Sequence, residues 1–213
     1  MKNAKKHKGS LVWTYDFDWK EGKAKLKKPW ISAMSQGLAI SVLSRAYIMT
    51  KDKKFLNAAC GASSVFFTRV EDGGVMTGED DYIYYEEYPA KPYPRILDGF
   101  IFSLLGLYDL YSVKKNEKID VAFKSGIKTL EKNLSKWDFL GLWSRYGLSG
   151  LLSSKDYNDL NCLLLRVLFG LTRSAVFYDY SKRWGSGGLV KNMFVSAPYV
   201  LMVFKSYLER SFE

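Results

Sequence analysis

A chain of 213 residues, 47% hydrophobic and 16% aromatic, is long enough to bury one substantial core and too apolar to be a disordered tail. Its formal charge of +10 favours an anionic partner: nucleic acid, an anionic membrane or an acidic polysaccharide. The single histidine, His7, lies among N-terminal lysines, which argues against Ser-His-Asp triads, Cys-His pairs, zinc sites of the HExxH type and histidine bases.

No glycine-rich phosphate-binding motif is present, so no cofactor is expected, and Cys60 and Cys162 lack metal-ligand spacing, so no metal is expected either. Both cysteines are expected to be free thiols. The start, Met1 to Lys6, has no apolar stretch behind its charges and does not look like a signal peptide. The best candidate for a membrane span is broken by Asp98 and Asp109. The default expectation is therefore a cytoplasmic chain without an integral membrane segment.

In chain order, residues 1–10 are polar and are expected to be disordered. Val12 to Trp19 alternates aromatic and polar side chains, as in a short strand or extended arm. Lys20 to Pro29 reads as a basic linker, with Trp30 opening the first helix. Residues 1–28 are thus expected to be a basic tail and arm, and residues 29–213 a helical domain.

The helical pattern then dominates. A first helix over Ser32–Thr50 carries Leu38, Val42, Leu43, Ala46 and Tyr47 at three-to-four spacing, and a second runs over Asp52–Arg69 with Asp52 as its cap. A third, Ile96–Val113, has Ile101, Leu104, Leu105 and Tyr108 in register and is apolar enough to be an inner helix. Asn116 caps a fourth, with Ile119, Ala122, Phe123, Ile127 and Leu130 as one stripe. A fifth starts near Asp156 with the stripe Leu160, Leu163, Leu164, Val167, Leu168 and Leu171; a sixth covers Ser174–Trp184, and a last covers Asn192–Glu209.

Inner helix, short polar loop, outer helix and a Gly- and aromatic-rich hairpin recur with a period of roughly fifty residues, about three times. The expected fold is all-α: an α/α toroid of repeated helical hairpins with short β-hairpins or extended loops between them. A right-handed α-solenoid is the alternative.

The chemistry concentrates on the inter-repeat loops. Tyr88 follows Glu86 and Glu87 on a segment stiffened by Pro89, Pro92 and Pro94, just before the apolar third helix. Tyr146 lies in Leu142-Trp143-Ser144-Arg145-Tyr146-Gly147, and Tyr157 in Lys155-Asp156-Tyr157-Asn158. A tyrosine beside Arg145 or Lys155 has a route to a lowered pKa and to service as a base. Among 15 tyrosines, any single one is more often a packing residue, and Glu87 taken alone is more often a surface carboxylate.

With Pro29-Trp30-Ile31-Ser32-Ala33-Met34-Ser35-Gln36-Gly37, Tyr85-Glu86-Glu87-Tyr88-Pro89 and Asp98-Gly99-Phe100 running to Leu110, the chain resembles the C-terminal domain of heparosan-type D-glucuronyl C5-epimerases. Weaker support comes from Trp143-Ser144-Arg145-Tyr146, Lys155-Asp156-Tyr157 and Lys182-Arg183-Trp184. The resemblance implies an α/α toroid that inverts C5 of D-glucuronate to L-iduronate in a heparosan- or heparan-like polymer by proton removal and return, without a cofactor.

It further implies Tyr88 and Tyr146 as acid/base groups, Tyr157 as a positioning or relay group, and Glu87 as the adjacent carboxylate. Glu86, Lys91, Arg95, Trp143, Arg145 and Asn158 are the expected substrate-binding neighbours. An anionic polysaccharide is the expected partner and nucleic acid is not, because acids are interleaved with the aromatics around Glu86. A homodimer or a separate N-terminal β-rich domain is a further expected partner.

The chain departs from the family pattern in two places. Tyr146-Gly147-Leu148-Ser149 lacks the family's substrate-pairing arginine, for which Arg145 is the expected substitute, and Asn158 and Asn161 stand where the family has histidines. The family's preceding β-rich domains have no counterpart in these residues, so the expected funnel is open. A polysaccharide lyase sharing the first proton abstraction, and a non-catalytic glycan-binding module, are the alternative readings.

Overall fold

In a computed structural model, residues 3–186 are described; the helix expected over Asn192–Glu209 lies outside them. The chain divides into two compact units, Met1–Lys132 and Asn133–Glu213.

The first unit opens with hairpins. Strand β1 (Lys5–His7) pairs antiparallel with β2 (Ser10–Val12) across Lys8-Gly9. Both turn residues have positive φ, 46° and 83°, as a two-residue hairpin turn with the twist of its strands requires. The tail expected to be disordered is therefore folded, and the Ser64 hydroxyl ties it down by donating to Ser10 Oγ at 2.6 Å.

Strand β3 (Thr14–Tyr15) skips a second hairpin, β4 (Trp19–Glu21) with β5 (Ala24–Leu26), to pair with β6 (Trp30–Ile31). The segment read as a basic linker is this hairpin. Its inner face buries Ala24 and Leu26 while Lys20 and Lys25 point outward. Trp30 likewise sits in a strand instead of opening the helix. Helix α1 begins at Ala33, where the Ser32 hydroxyl accepts from the Ser35 amide.

Helices α1 (Ala33–Thr50) and α2 (Lys53–Ser63) form the first helical hairpin. Lys51 turns the chain in the left-handed region, and Asp52 Oδ1 accepts from the Lys54 amide. A 3-10 turn, Ser64–Phe67, continues α2. Strands β7 (Met76–Glu79) and β8 (Tyr82–Tyr85) then make the expected β-hairpin. Helix α3 (Leu97–Val113) and helix α4 (Glu117–Asn133) make the second helical hairpin, with Asn116 Oδ1 accepting from the amides of Lys118 and Ile119.

The α4 stripe of Ile119, Ala122, Phe123, Ile127 and Leu130 is buried as its periodicity predicts. The α1 stripe is buried only at Leu43: Leu38 and Val42 are exposed, Ala46 and Tyr47 are half-buried, and the buried face is Gln36, Gly37, Ile40, Leu43 and Ser44. The cause is a close crossing with α3. A Cβ on Gly37 would stand 2.6 Å from Ser103 Cα, and one on Gly106 would stand 2.2 Å from the Gly37 carbonyl oxygen. Two glycines meeting backbone to backbone turn α1 so that Gln36, Gly37, Ile40 and Ser44 face inward while Leu38 and Val42 face out.

The second unit carries β9 (Asp138–Phe139) paired with β10 (Trp143–Ser144), then α5 (Lys155–Thr172) and α6 (Ala175–Gly185). Helix α5 is capped by Ser154, whose hydroxyl accepts from the Tyr157 amide; Asp156 lies in its first turn. Leu163 and Val167 of its expected stripe are exposed, and the buried row runs through Asn158, Asn161, Cys162, Leu164, Leu165 and Leu168. Trp137, Trp143 and Trp184 are fully buried. Both cysteines are free, Cys60 half-buried and Cys162 buried. Among the described residues no helix is long and apolar enough to cross a membrane, and no cluster of side chains is arranged to hold a metal ion.

Candidate active site

The loop after β8 runs along the N-terminal ends of α1 and α3. The Glu86 carbonyl accepts from the Ala33 amide at 3.0 Å, and the Glu86 amide donates to the Val75 carbonyl at 2.8 Å. These bonds fix the backbone of Glu86, Glu87 and Tyr88 between helix start and hairpin.

The two acids then diverge. Glu86 turns fully inward, where its Oε1 accepts from the Thr77 hydroxyl at 2.6 Å and lies 3.9 Å from Arg95 Nε. Burial pushes its carboxyl up to about 7, against the opposing pull of the Thr77 hydroxyl and the Arg95 backbone amide. Arg95 is itself committed: its guanidinium lies 3.9 Å over the Tyr84 ring and is ion-paired with Glu79.

Glu87 is held against the first turn of α3. A Cβ on Gly99 would lie 2.1 Å from Glu87 Oε2, so the glycine is what makes room for this carboxyl. Burial, with the nearby charges of Asp98 and Glu21, raises Glu87 to about 8, and a hydrogen bond from Tyr88 only partly offsets the rise. Asp98 is raised to about 6 by burial, while its own amide and that of Gly99 pull it down. Glu87 Oε2 and Asp98 Oδ1 are buried and have no hydrogen-bond partner among the described residues. At neutral pH the loop therefore presents a protonated carboxyl beside a tyrosine hydroxyl.

Tyr88 is half-buried at the edge of an aromatic cluster. Its ring lies 5.9 Å from Trp30 and 6.5 Å from Trp19, and Trp30 stacks on Tyr15 at 4.4 Å. Lys91 is exposed and pairs with Glu71 at 3.4 Å.

In the second unit, Tyr146 and Tyr157 meet edge to face with ring centroids 5.1 Å apart; Tyr157 is exposed and Tyr146 half-buried. Arg145 lies over the Phe139 ring and donates to the carbonyls of Asp138 and Gly150. Lys155 is paired with Asp159 at 2.5 Å.

Behind these side chains is a polar knot. Asn158 Oδ1 accepts from the amide and hydroxyl of Ser144, its Nδ2 donates to the Trp184 carbonyl, and Asn161 Nδ2 donates to Ser144 Oγ and Ser153 Oγ. Trp143 is buried, with its indole N–H donating to the Ser153 carbonyl.

Of the residues expected to bind substrate, Trp143 and Asn158 direct their side-chain polar atoms into the fold, and Glu86 is fully buried, its Oε1 bonded to Thr77 and its Oε2 without a hydrogen-bond partner among the described residues. Asp98 and Gly99, which shape the Glu87 carboxyl, and Trp30, which flanks Tyr88, were not among the expected site residues. The Asp98-Gly99 pair at the head of an apolar helix was the available signal.

The family model described as the D-glucuronyl C5-epimerase C-terminus matches residues 7–186. The chain is 32% identical over 183 residues to a D-glucuronyl C5-epimerase of Caenorhabditis elegans, covering 77% of this chain and 30% of that protein. It is 30% identical over 178 residues to an uncharacterized protein of Methanocaldococcus jannaschii, covering 82% of this chain and 57% of that one. The chain thus spans well under two thirds of the length of either relative.

Among solved structures it resembles a family 76 glycoside hydrolase from a bovine Bacteroides thetaiotaomicron strain, with a TM-score of 0.51 and 13% identity over 83% of this chain and 37% of that one. At that identity the likeness concerns fold alone, and the class is the α/α toroid.

Proposed function

The chain belongs to the D-glucuronyl C5-epimerase C-terminal family, and from that membership we propose that it inverts C5 of D-glucuronate to L-iduronate in a heparosan- or heparan-like polysaccharide. The observation that carries the reading is the buried Glu87 carboxyl, raised to about 8 and hydrogen-bonded by Tyr88.

The chemistry requires the C5–H bond to break, with its electron pair passing into the adjacent carboxylate as an enolate-like dianion. A proton then returns to C5 on the other face. A protonated carboxyl suits this reaction: it adds no charge next to the substrate carboxylate, and its proton can be donated to the Tyr88 oxygen when that hydroxyl is ionised to act as the base. Tyr88 and Tyr146 are assigned the acid/base roles, and Tyr157 positions the sugar or joins the proton relay. Glu86, Arg95, Trp143 and Asn158 act at one remove, by holding the loops, while Arg145 and Lys91 are the cationic groups assigned to the polymer.

The test is incubation of the chain with heparosan in deuterated water, read by proton NMR at the uronate C5. Exchange with new iduronate signals, abolished in Tyr88→Phe, is the expected result. Exchange that survives alike in Tyr88→Phe, Tyr146→Phe and Tyr157→Phe removes the assigned roles, and ultraviolet absorbance from an unsaturated uronate replaces the epimerase with a lyase.

A further inference from the structure

Residues 15–30 place aromatic rings in unbroken contact, running outward from Tyr88. Trp19 lies nearly parallel to the Tyr88 ring, at 20° and 6.5 Å. Phe17 meets Trp19 edge-on at 6.2 Å and Trp30 at 5.9 Å. The inner members are covered, with Trp30 only 9% exposed, but the outer two are not: Phe17 is 48% exposed and Trp19 is 43% exposed.

Singly exposed aromatics are ordinary, whereas two in contact and continuous with a candidate site form an apolar platform beside it. The platform is also held rigid. The Trp19 indole hydrogen-bonds the Glu21 carboxyl two residues along the same face of the hairpin. The Trp30 indole N–H donates to the Phe17 carbonyl at 2.9 Å, and the Lys28 amide and the Lys27 ammonium both hold Asp18. A ring face fixed before binding loses little entropy when a ligand lands on it.

We propose that Trp19 and Phe17 form a sugar-stacking subsite that takes the apolar C–H face of a pyranose ring adjacent to the uronate held at Tyr88. The inference rests on the polysaccharide reading above and extends it: the N-terminal arm is a part of the substrate groove, and the ligand is a chain of sugars and not a single uronate.

The experiment titrates the full chain and its Trp19→Ala, Trp19→Phe and Phe17→Ala variants with two probes, heparosan oligosaccharides and the same oligosaccharides with their carboxyls reduced. Stacking reads the ring face and not the charge. Trp19→Ala is therefore expected to weaken both probes about tenfold, Trp19→Phe to restore most of the loss, and Phe17→Ala to cost less than Trp19→Ala.

Wild-type binding that Trp19→Ala and Phe17→Ala leave unaltered overturns the subsite while the epimerase reading stands. A folded wild-type chain that binds neither probe overturns both. If Trp19→Ala fails to fold, Phe17→Ala and Trp19→Phe decide the question by the same criterion.

Discussion

The two tyrosine-bearing loops are built on opposite principles. Around Glu87, buried carboxyl oxygens have no hydrogen-bond partner among the described residues, and Glu87, Glu86 and Asp98 are raised to about 8, about 7 and about 6. Around Asn158, the amide oxygen and nitrogen are both satisfied by Ser144 and the Trp184 carbonyl. The first loop buries groups that hold protons at the expense of stability; the second spends its polar groups on hydrogen bonds that add to stability. The difference says where a substitution should act on titration and where on folding.

The sharpest way to break the comparison is Tyr88→Phe, which removes one hydroxyl and no packing. C5 exchange should fall roughly 100-fold or more with little change in melting temperature, whereas an unaltered exchange rate would move the proton transfer elsewhere. Next in size is Asn158→Ala in the second loop. It leaves the Ser144 amide and the Trp184 carbonyl unpaired in a buried site, so denaturant unfolding should show a loss of about 2–3 kcal/mol.

Smaller is the effect of pH on the first loop. Its carboxyls have folded pKa values above their unfolded ones, so their protonated forms stabilise the fold. That contribution is complete below the ordinary value of 4.5 and is lost as pH rises through about 8, so the melting temperature should decline across that window. Glu87→Gln should flatten the decline and leave stability near pH 5 almost unchanged. The least effect is expected from Lys155→Ala, which breaks an exposed pair with Asp159 and should leave the melting temperature almost unchanged.

The helices were legible because their periodicity and caps are local. Asp52 and Asn116 cap as read, and the α4 stripe faces inward as read. The α1 stripe was misread because its orientation is set by Gly37 meeting Gly106, a contact between residues far apart in sequence. The N-terminal hairpins were missed because their strands are only three residues long and carry lysines among the few apolar residues, Lys20 and Lys25 beside Trp19, Ala24 and Leu26, so the segments read as charged tail and linker.

In the candidate site, the Glu-Glu-Tyr-Pro run singled out the loop whose carboxyls the structure buries. What it did not show is that Glu86 faces the core while Glu87 faces Gly99. Adjacent residues on an extended strand end must point opposite ways, but only the surrounding helices decide which one meets the tyrosine.

The central claim is that Glu87 is a neutral carboxyl at physiological pH beside Tyr88. Carbon-13 NMR titration of side-chain-labelled glutamate, compared between the wild-type chain and Glu87→Gln, tests it most directly. The account predicts a resonance that titrates near 8, couples to a second buried group and disappears in the variant. A Glu87 resonance titrating near its ordinary value of 4.5 would contradict it.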